Sequence, residues 1–165
     1  MVKANAKKII VAICCAALCV FALAGCGQVN NMTNPANAEK AATLTYFAEV
    51  NAVVGEFKTT LGDFSADVKD KNVNNMKDKI DASQKLIDQF NKLDVPKNCE
   101  DVHKLYLDGL VQMQQALSNY VQIYDDFQSG SIDNNVLNQR VADVQSSYNS
   151  GLNLLTQADK LAAEK

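Results

Sequence analysis

Residues 47–68 read FAEVNAVVGEFKTTLGDFSADV, and this stretch decides the fold. Phe47, Val50, Val54, Phe57, Leu61, Phe64 and Val68 stand at alternating spacings of three and four. That spacing lays one apolar seam along a helix and leaves the intervening residues for its other sides. Ala48, Gly55 and Gly62 recur every seven residues beside the seam. Two readings stay open for them: they permit a close helix approach, or they simply weaken an exposed face.

The pattern repeats downstream. Asn72, Asn74 and Asn75 mark a turn, after which Val73, Met76, Ile80, Ser83, Ile87 and Phe90 restore the spacing, widened by Leu86 and Leu93. Asp94-Val95-Pro96-Lys97 breaks this second helix, because proline cannot continue one. Asn98 is the expected N-cap of a third helix, with Glu100 and Asp101 favourably placed in its first turn. That helix carries Cys99, Val102, Tyr106, Leu110, Met113, Leu117, Tyr120, Tyr124 and Phe127. Gly130 is expected to close it and Ser131 to open a fourth, whose face holds Leu137, Val141, Val144, Tyr148, Gly151, Leu155 and Ala162. Four amphipathic helices with short connections predict an all-α, up-down-up-down four-helix bundle over residues 39–165. A soluble coiled coil or extended helical hairpin is the rival, and the short loops count against it.

The first 25 residues differ in kind. Lys3, Lys7 and Lys8 precede a continuous apolar run, Ile9–Ala24, of 16 residues. Basic start, apolar run and small-residue site follow the order of a secretory signal. The run is shorter than the roughly 20 residues a helix needs to cross a bilayer. Leu23-Ala24-Gly25-Cys26 then resembles the lipobox of bacterial lipoproteins, in which small residues precede an obligatory cysteine. The resemblance implies that Cys26 is diacylglycerylated and that a signal peptidase, recognising Leu23, Ala24 and Gly25, cuts before it. Two or more acyl chains anchor a protein stably without spanning the membrane. Residues 26–38 then form the lipidated cysteine and a flexible tether. The chain also resembles, in architecture alone, the small helical-bundle envelope lipoproteins of unknown function.

Charge and cysteine usage follow from that division. The whole chain carries 16 basic and 19 acidic residues, but three of the lysines lie in the leader, leaving 13 against 19 in the mature part. A net charge of −6 argues against a nucleic-acid partner, which needs a basic footprint. Of the five cysteines only Cys26 and Cys99 survive cleavage, and Cys26 bears lipid, so no intramolecular disulfide is expected.

Few residues in the sequence are arranged for chemistry. His103 is the single histidine, and Glu100-x-x-His103 is only one half of a di-iron element that a bundle needs twice. Glu49 and Glu56 lie off the seam and are expected to face water. Cys99 and His103 are four apart and share one side of a helix, a spacing open to two metal ligands or a thiol–base pair. The preferred expectation is a buried structural thiol with the histidine at its edge and no metal, since a stable zinc site takes at least three protein ligands. Asp125, Asp126 and Asp133 flank Gly130, but Phe127 and Val136 stand where a calcium loop needs oxygen ligands. Tyr106, Tyr120, Tyr124 and Tyr148 lie on seams and are read as core first, and as walls of a ligand pocket second.

The expectation is therefore a non-enzymatic, cofactor-free binding or interaction module, tethered to a membrane through Cys26 at the bacterial cell envelope. Its place is the outer face of a plasma membrane or an outer membrane. Its partner is an envelope protein. The alternative is a sensor or carrier with a small ligand between the helices.

Overall fold

The structure is a computed structural model that describes residues 35–165, with side chains from residue 37 onward. The apolar leader, the cleavage-site residues Leu23, Ala24 and Gly25, the proposed lipid acceptor Cys26 and most of the expected tether lie outside the described residues. What is described is all-helical, in four helices without a strand. They are α1 (Pro35–Asp70), α2 (Val73–Phe90), α3 (Glu100–Gln128) and α4 (Asn134–Ala162), with a 3-10 turn at Lys97–Cys99 ahead of α3.

Helix α1 begins at Pro35, four residues inside the segment expected to be tether. Proline suits a first turn, where its missing N–H has no partner to lose. The buried line of α1 is Thr43, Tyr46, Val50, Phe57, Phe64 and Val68, whereas Phe47, Val54 and Leu61 are only half-buried. The difference from the expected seam has a geometric cause. Rows of residues seven apart drift by about 20° per heptad on a straight helix. The row Phe47, Val54, Leu61, Val68 starts on the flank and reaches the core only at Val68, and Tyr46 takes the inner place at the other end.

Between α1 and α2 the chain turns at Lys71, whose φ of 58° is left-handed. Lys71 N–H donates to Val68 O and Asn72 N–H to Asp67 O, which satisfies carbonyls at the end of α1. Asn72 then caps α2, its side chain accepting from Asn75 N–H at 3.3 Å. The α3–α4 turn repeats this geometry with Gly130 at φ 76° and Ser131 N–H reaching back to Asp126 O.

Two expected caps are replaced. Asn98 does not cap α3; it sits in the 3-10 turn and spends its side chain on Thr43 of α1. Ser131 does not open α4 either. Asp133 does, its carboxylate accepting from Asn135 N–H at 2.8 Å and Val136 N–H at 2.9 Å. A charged acceptor beside the positive end of a helix dipole outcompetes a hydroxyl two residues earlier.

Polar contacts show how the helices run. Asp63–Lys79 and Asp67–Asn75 set α1 against α2 in opposite directions. Lys77–Asp125 and the Phe90–Tyr106 ring pair do the same for α2 and α3. Arg140–Asp126 and Lys165–Asp101 do so for α3 and α4. Thr43–Asn98 and Phe64–Tyr120 leave α1 and α3 parallel. The N-terminal part of α1, the 91–98 segment and the chain's last residue therefore share one end, and the two tight turns share the other.

Helices α3 and α4 approach each other closely at Gly109 and Gly151. A Cβ built on Gly151 would lie 2.6 Å from Met113 Cγ and 3.0 Å from the carbonyl oxygen of Gly109, and one on Gly109 would lie 2.7 Å from Leu155 Cδ2. The close approach entertained for Gly55 and Gly62 is not there, since a Cβ on either meets nothing within 4 Å. The core forms two lobes. One gathers around Phe64, Met76, Tyr120 and Leu137 near the turns, the other around Phe57, Phe90, Tyr106 and Leu110, with Leu61 and Tyr148 touching both.

Candidate functional site

The densest set of polar and titratable side chains inside the bundle lies at the end opposite the tight turns. Helix α1 contributes Thr43 and Tyr46, α2 ends there with Phe90, and the 3-10 turn brings Asn98 and Cys99. Helix α3 adds His103 and Tyr106, and α4 returns with Asp159. Cys99 is fully buried, as its place on the α3 seam predicts. Its thiol donates to Asn98 Oδ1 (3.5 Å), Asn98 Nδ2 donates to Thr43 Oγ1 (3.2 Å), and the Thr43 hydroxyl donates to Glu39 O (3.0 Å). One relay of hydrogen bonds thus ties the start of α3 to the N-terminal part of α1.

His103 belongs to a second set. Its ring stacks on Phe90, with centroids 4.7 Å apart and planes 12° from parallel, and its Nδ1 meets Tyr46 Oη at 3.3 Å. Burial pushes the imidazole below its ordinary value, so it is neutral at pH 7. Burial also pushes the Tyr46 phenol well above its ordinary value, followed by the effects of Cys99 and Asp101. A protonated phenol can donate to Nδ1 of a neutral imidazole or accept from it, and the ring's tautomer sets which. Tyr106 donates to Asp159 Oδ1 at 2.5 Å, and burial and that carboxylate together raise its phenol.

Chemically this is a set of stored protons rather than a reacting group. Burial raises the Cys99 thiol, and the Thr43 hydroxyl and Lys165 only oppose it. A protonated thiol bonded to an amide, and an imidazole bonded to a phenol, do not make a nucleophile and its base. Among the described residues no three His, Cys, Asp or Glu side chains converge as a metal ion would require.

The other residues singled out by sequence have settled places. Glu49, Glu56 and Glu100 are exposed. Asp125 pairs with Lys77 at 2.8 Å, Asp126 with Arg140 at 2.6 Å, and Asp133 caps α4, so the three carboxylates are structural and do not share a centre. Tyr120 is buried edge-on against Phe64, while Tyr124 and Tyr148 are half-buried. Tyr46 is the residue that sequence reasoning missed. Its signal was present in the spacing Thr43, Tyr46, Val50, Phe57, which competes with the neighbouring row that begins at Phe47.

No curated protein and no solved structure matches the chain. A family model does, over residues 30–155, which takes in the last residues before α1 and nearly the whole helical domain. On that match the chain belongs to a family of unknown function (DUF6376).

Proposed function

We propose that this chain is a lipid-anchored, extracytoplasmic binding or interaction module of the bacterial cell envelope, without enzymatic activity. Its helices form an up-down-up-down bundle on a tether that starts at Cys26. The observation that carries the reading is Leu23-Ala24-Gly25-Cys26 directly behind the apolar run Ile9–Ala24. A thiol at that position is the side chain that forms a thioether to a diacylglyceryl group, since ionised sulfur is the strongest side-chain nucleophile. Among the described residues no helix is long and apolar enough to cross a membrane, so attachment rests on the residues before α1. The interaction reading is preferred to a ligand between the helices because the hydroxyls that would orient a ligand, on Tyr46 and Tyr106, are engaged with His103 and Asp159.

Metabolic labelling with an alkyne fatty acid, followed by intact-mass measurement, tests the anchor. The natural chain is expected to lose residues 1–25 and gain acyl mass, and Cys26→Ala to remain an uncut, unlabelled precursor. Normal processing of Cys26→Ala would overturn the reading. The genomic neighbourhood is the next observation to make, because it can name an envelope partner.

A further inference from the structure

We infer that the bundle stands on the membrane by the end that carries the 91–98 segment, facing a lipid headgroup surface, and presents the two tight turns outward. This rests on the proposed lipidation of Cys26. The first argument is one of length. Because α1 begins at Pro35, only residues 27–34 separate it from the lipidated cysteine. Eight residues reach at most about 29 Å in any conformation. Helix α1 has 36 residues, and is therefore about 54 Å long. The bundle cannot be inverted, because its turn end would need to pass through the bilayer. Even a downward tilt of more than about 30° is excluded by the same two lengths.

The second argument separates standing from lying flat. Along the central flanks exposed Glu56, Asp81, Asp88 and Asp108 outnumber exposed Lys58 and Lys85. Laying such a flank on an anionic leaflet costs electrostatic repulsion. At the tether end the balance shifts. Exposed Lys40, Lys92, Lys97, Lys104 and Lys160 stand there against exposed Glu39, Asp94, Glu100 and Glu164, so the acidic excess of the flanks is gone, and Asp101 is already paired with Lys165 at 2.8 Å. The same end holds Leu93, Val95 and Pro96, all half-buried, with Leu93 and Val95 packed against the edge of the core. Apolar groups flanked by lysines suit the headgroup region of a bilayer. The outward end exposes Asn72, Asn74, Asn134 and Asn135 around the turns, with Lys69 and Lys71 balanced by Asp70 and Asp133, and Val136 exposed at the start of α4.

Energy transfer measures the height directly. The full precursor is expressed in a bacterial host, and the processed protein is reconstituted in phosphatidylglycerol-containing vesicles bearing a headgroup acceptor dye. Donors are placed at Lys97→Cys or at Ser129→Cys, both exposed positions, in a Cys99→Ala background. Should Cys99→Ala disturb the circular dichroism spectrum, the same labels go into the chain that keeps its buried Cys99. The two positions bracket α3, whose 29 residues separate them by about 44 Å along the axis. Transfer from position 97 is expected to exceed that from position 129 several-fold. Equal transfer, or more from 129, would overturn the orientation. Intact mass and vesicle flotation distinguish the two ways of failing. A protein without acyl mass that does not float removes the anchor and this inference with it; an acylated, floating protein with equal transfer removes the orientation alone.

Discussion

Replacing Gly151 by alanine tests the close approach of α3 and α4. The added Cβ would sit 2.6 Å from Met113 Cγ, 3.0 Å from Gly109 O and 3.2 Å from Met113 N. Two of these neighbours are backbone atoms of the facing helix, so rotating a side chain does not relieve them. The helices must separate by several tenths of an ångström, and overpacking of this kind costs about 1–3 kcal/mol. Alanine recovers up to about 1 kcal/mol of helix propensity relative to glycine. The net expectation is a loss of about 1–2 kcal/mol. Gly55→Ala supplies the control, because a Cβ there meets nothing within 4 Å and only the propensity gain remains. It is expected to stabilise by up to about 1 kcal/mol. For a domain of this size 1 kcal/mol moves Tm by about 4 °C. Thermal and urea unfolding of residues 35–165, followed by circular dichroism, should therefore move Gly151→Ala down and Gly55→Ala up. If the two substitutions shift Tm in the same direction, the close approach of α3 and α4 is wrong.

Lys71 adopts a left-handed φ of 58° in the α1–α2 turn, a conformation that costs a side-chain-bearing residue about 1 kcal/mol, so Lys71→Gly should raise stability by several tenths of a kcal/mol in urea unfolding; a loss would contradict the turn geometry. Cys99, buried and bonded to Asn98, should react slowly with a thiol reagent in the folded domain and rapidly in denaturant, and Cys99→Ala should cost on the order of 1 kcal/mol. Burial holds folded His103 below its ordinary 6.5, so the unfolded chain binds the proton more readily. Its contribution to stability is complete above that ordinary value, falls as pH drops through 6.5 towards the depressed folded value, and then levels off. His103→Gln keeps a hydrogen-bonding partner for Tyr46 and should flatten the slope between pH 7.5 and 5; identical slopes in both proteins would refute the assignment of a neutral, half-buried ring.

The helices were legible because amphipathic spacing is a property of one segment at a time. The seams of α2, α3 and α4, and the burial of Cys99 on one of them, follow from spacings of three and four alone. What was not legible depends on two segments meeting. Whether Tyr46 or Phe47 heads the α1 seam depends on which of two drifting rows faces α3. Asn98 has the chemistry of a cap, yet its amide is drawn to Thr43, 55 residues away in sequence. Gly55 and Gly62 looked like approach points because of their regular spacing, while the real approach falls on Gly109 and Gly151, which only the α3–α4 register brings opposite each other. The stack of His103 on Phe90 likewise needs the fold of the 91–98 segment before the two rings can meet.

The unequal helix lengths give the polar end its structural purpose. Helix α2 has 18 residues, about 27 Å, against about 54 Å for α1. With Asp63 opposite Lys79 and Asp67 opposite Asn75, α2 reaches its last residue beside roughly the middle of α1. The N-terminal half of α1 therefore lacks the helix that guides its other half, and docks on the 91–98 segment and α3. Apolar packing alone would fix its register weakly there, because a shift by one turn exchanges Tyr46 for Val50 and still buries an apolar side chain. The hydrogen bonds remove that ambiguity. A one-turn slip breaks Thr43–Asn98 and Tyr46–His103 together; it leaves the buried Tyr46 hydroxyl unmatched, at about 1–3 kcal/mol, while Thr43 keeps only its bond to Glu39 O. Buried polar groups set register in this way when hydrophobic contacts are degenerate. Replacing Thr43 by valine and Tyr46 by phenylalanine should accordingly cost little helix content and loosen the first half of α1 selectively. Hydrogen exchange should then rise in residues 39–50 and stay unchanged in α3 and α4. Uniform acceleration across all four helices would show that these bonds hold the whole bundle and not the register of α1.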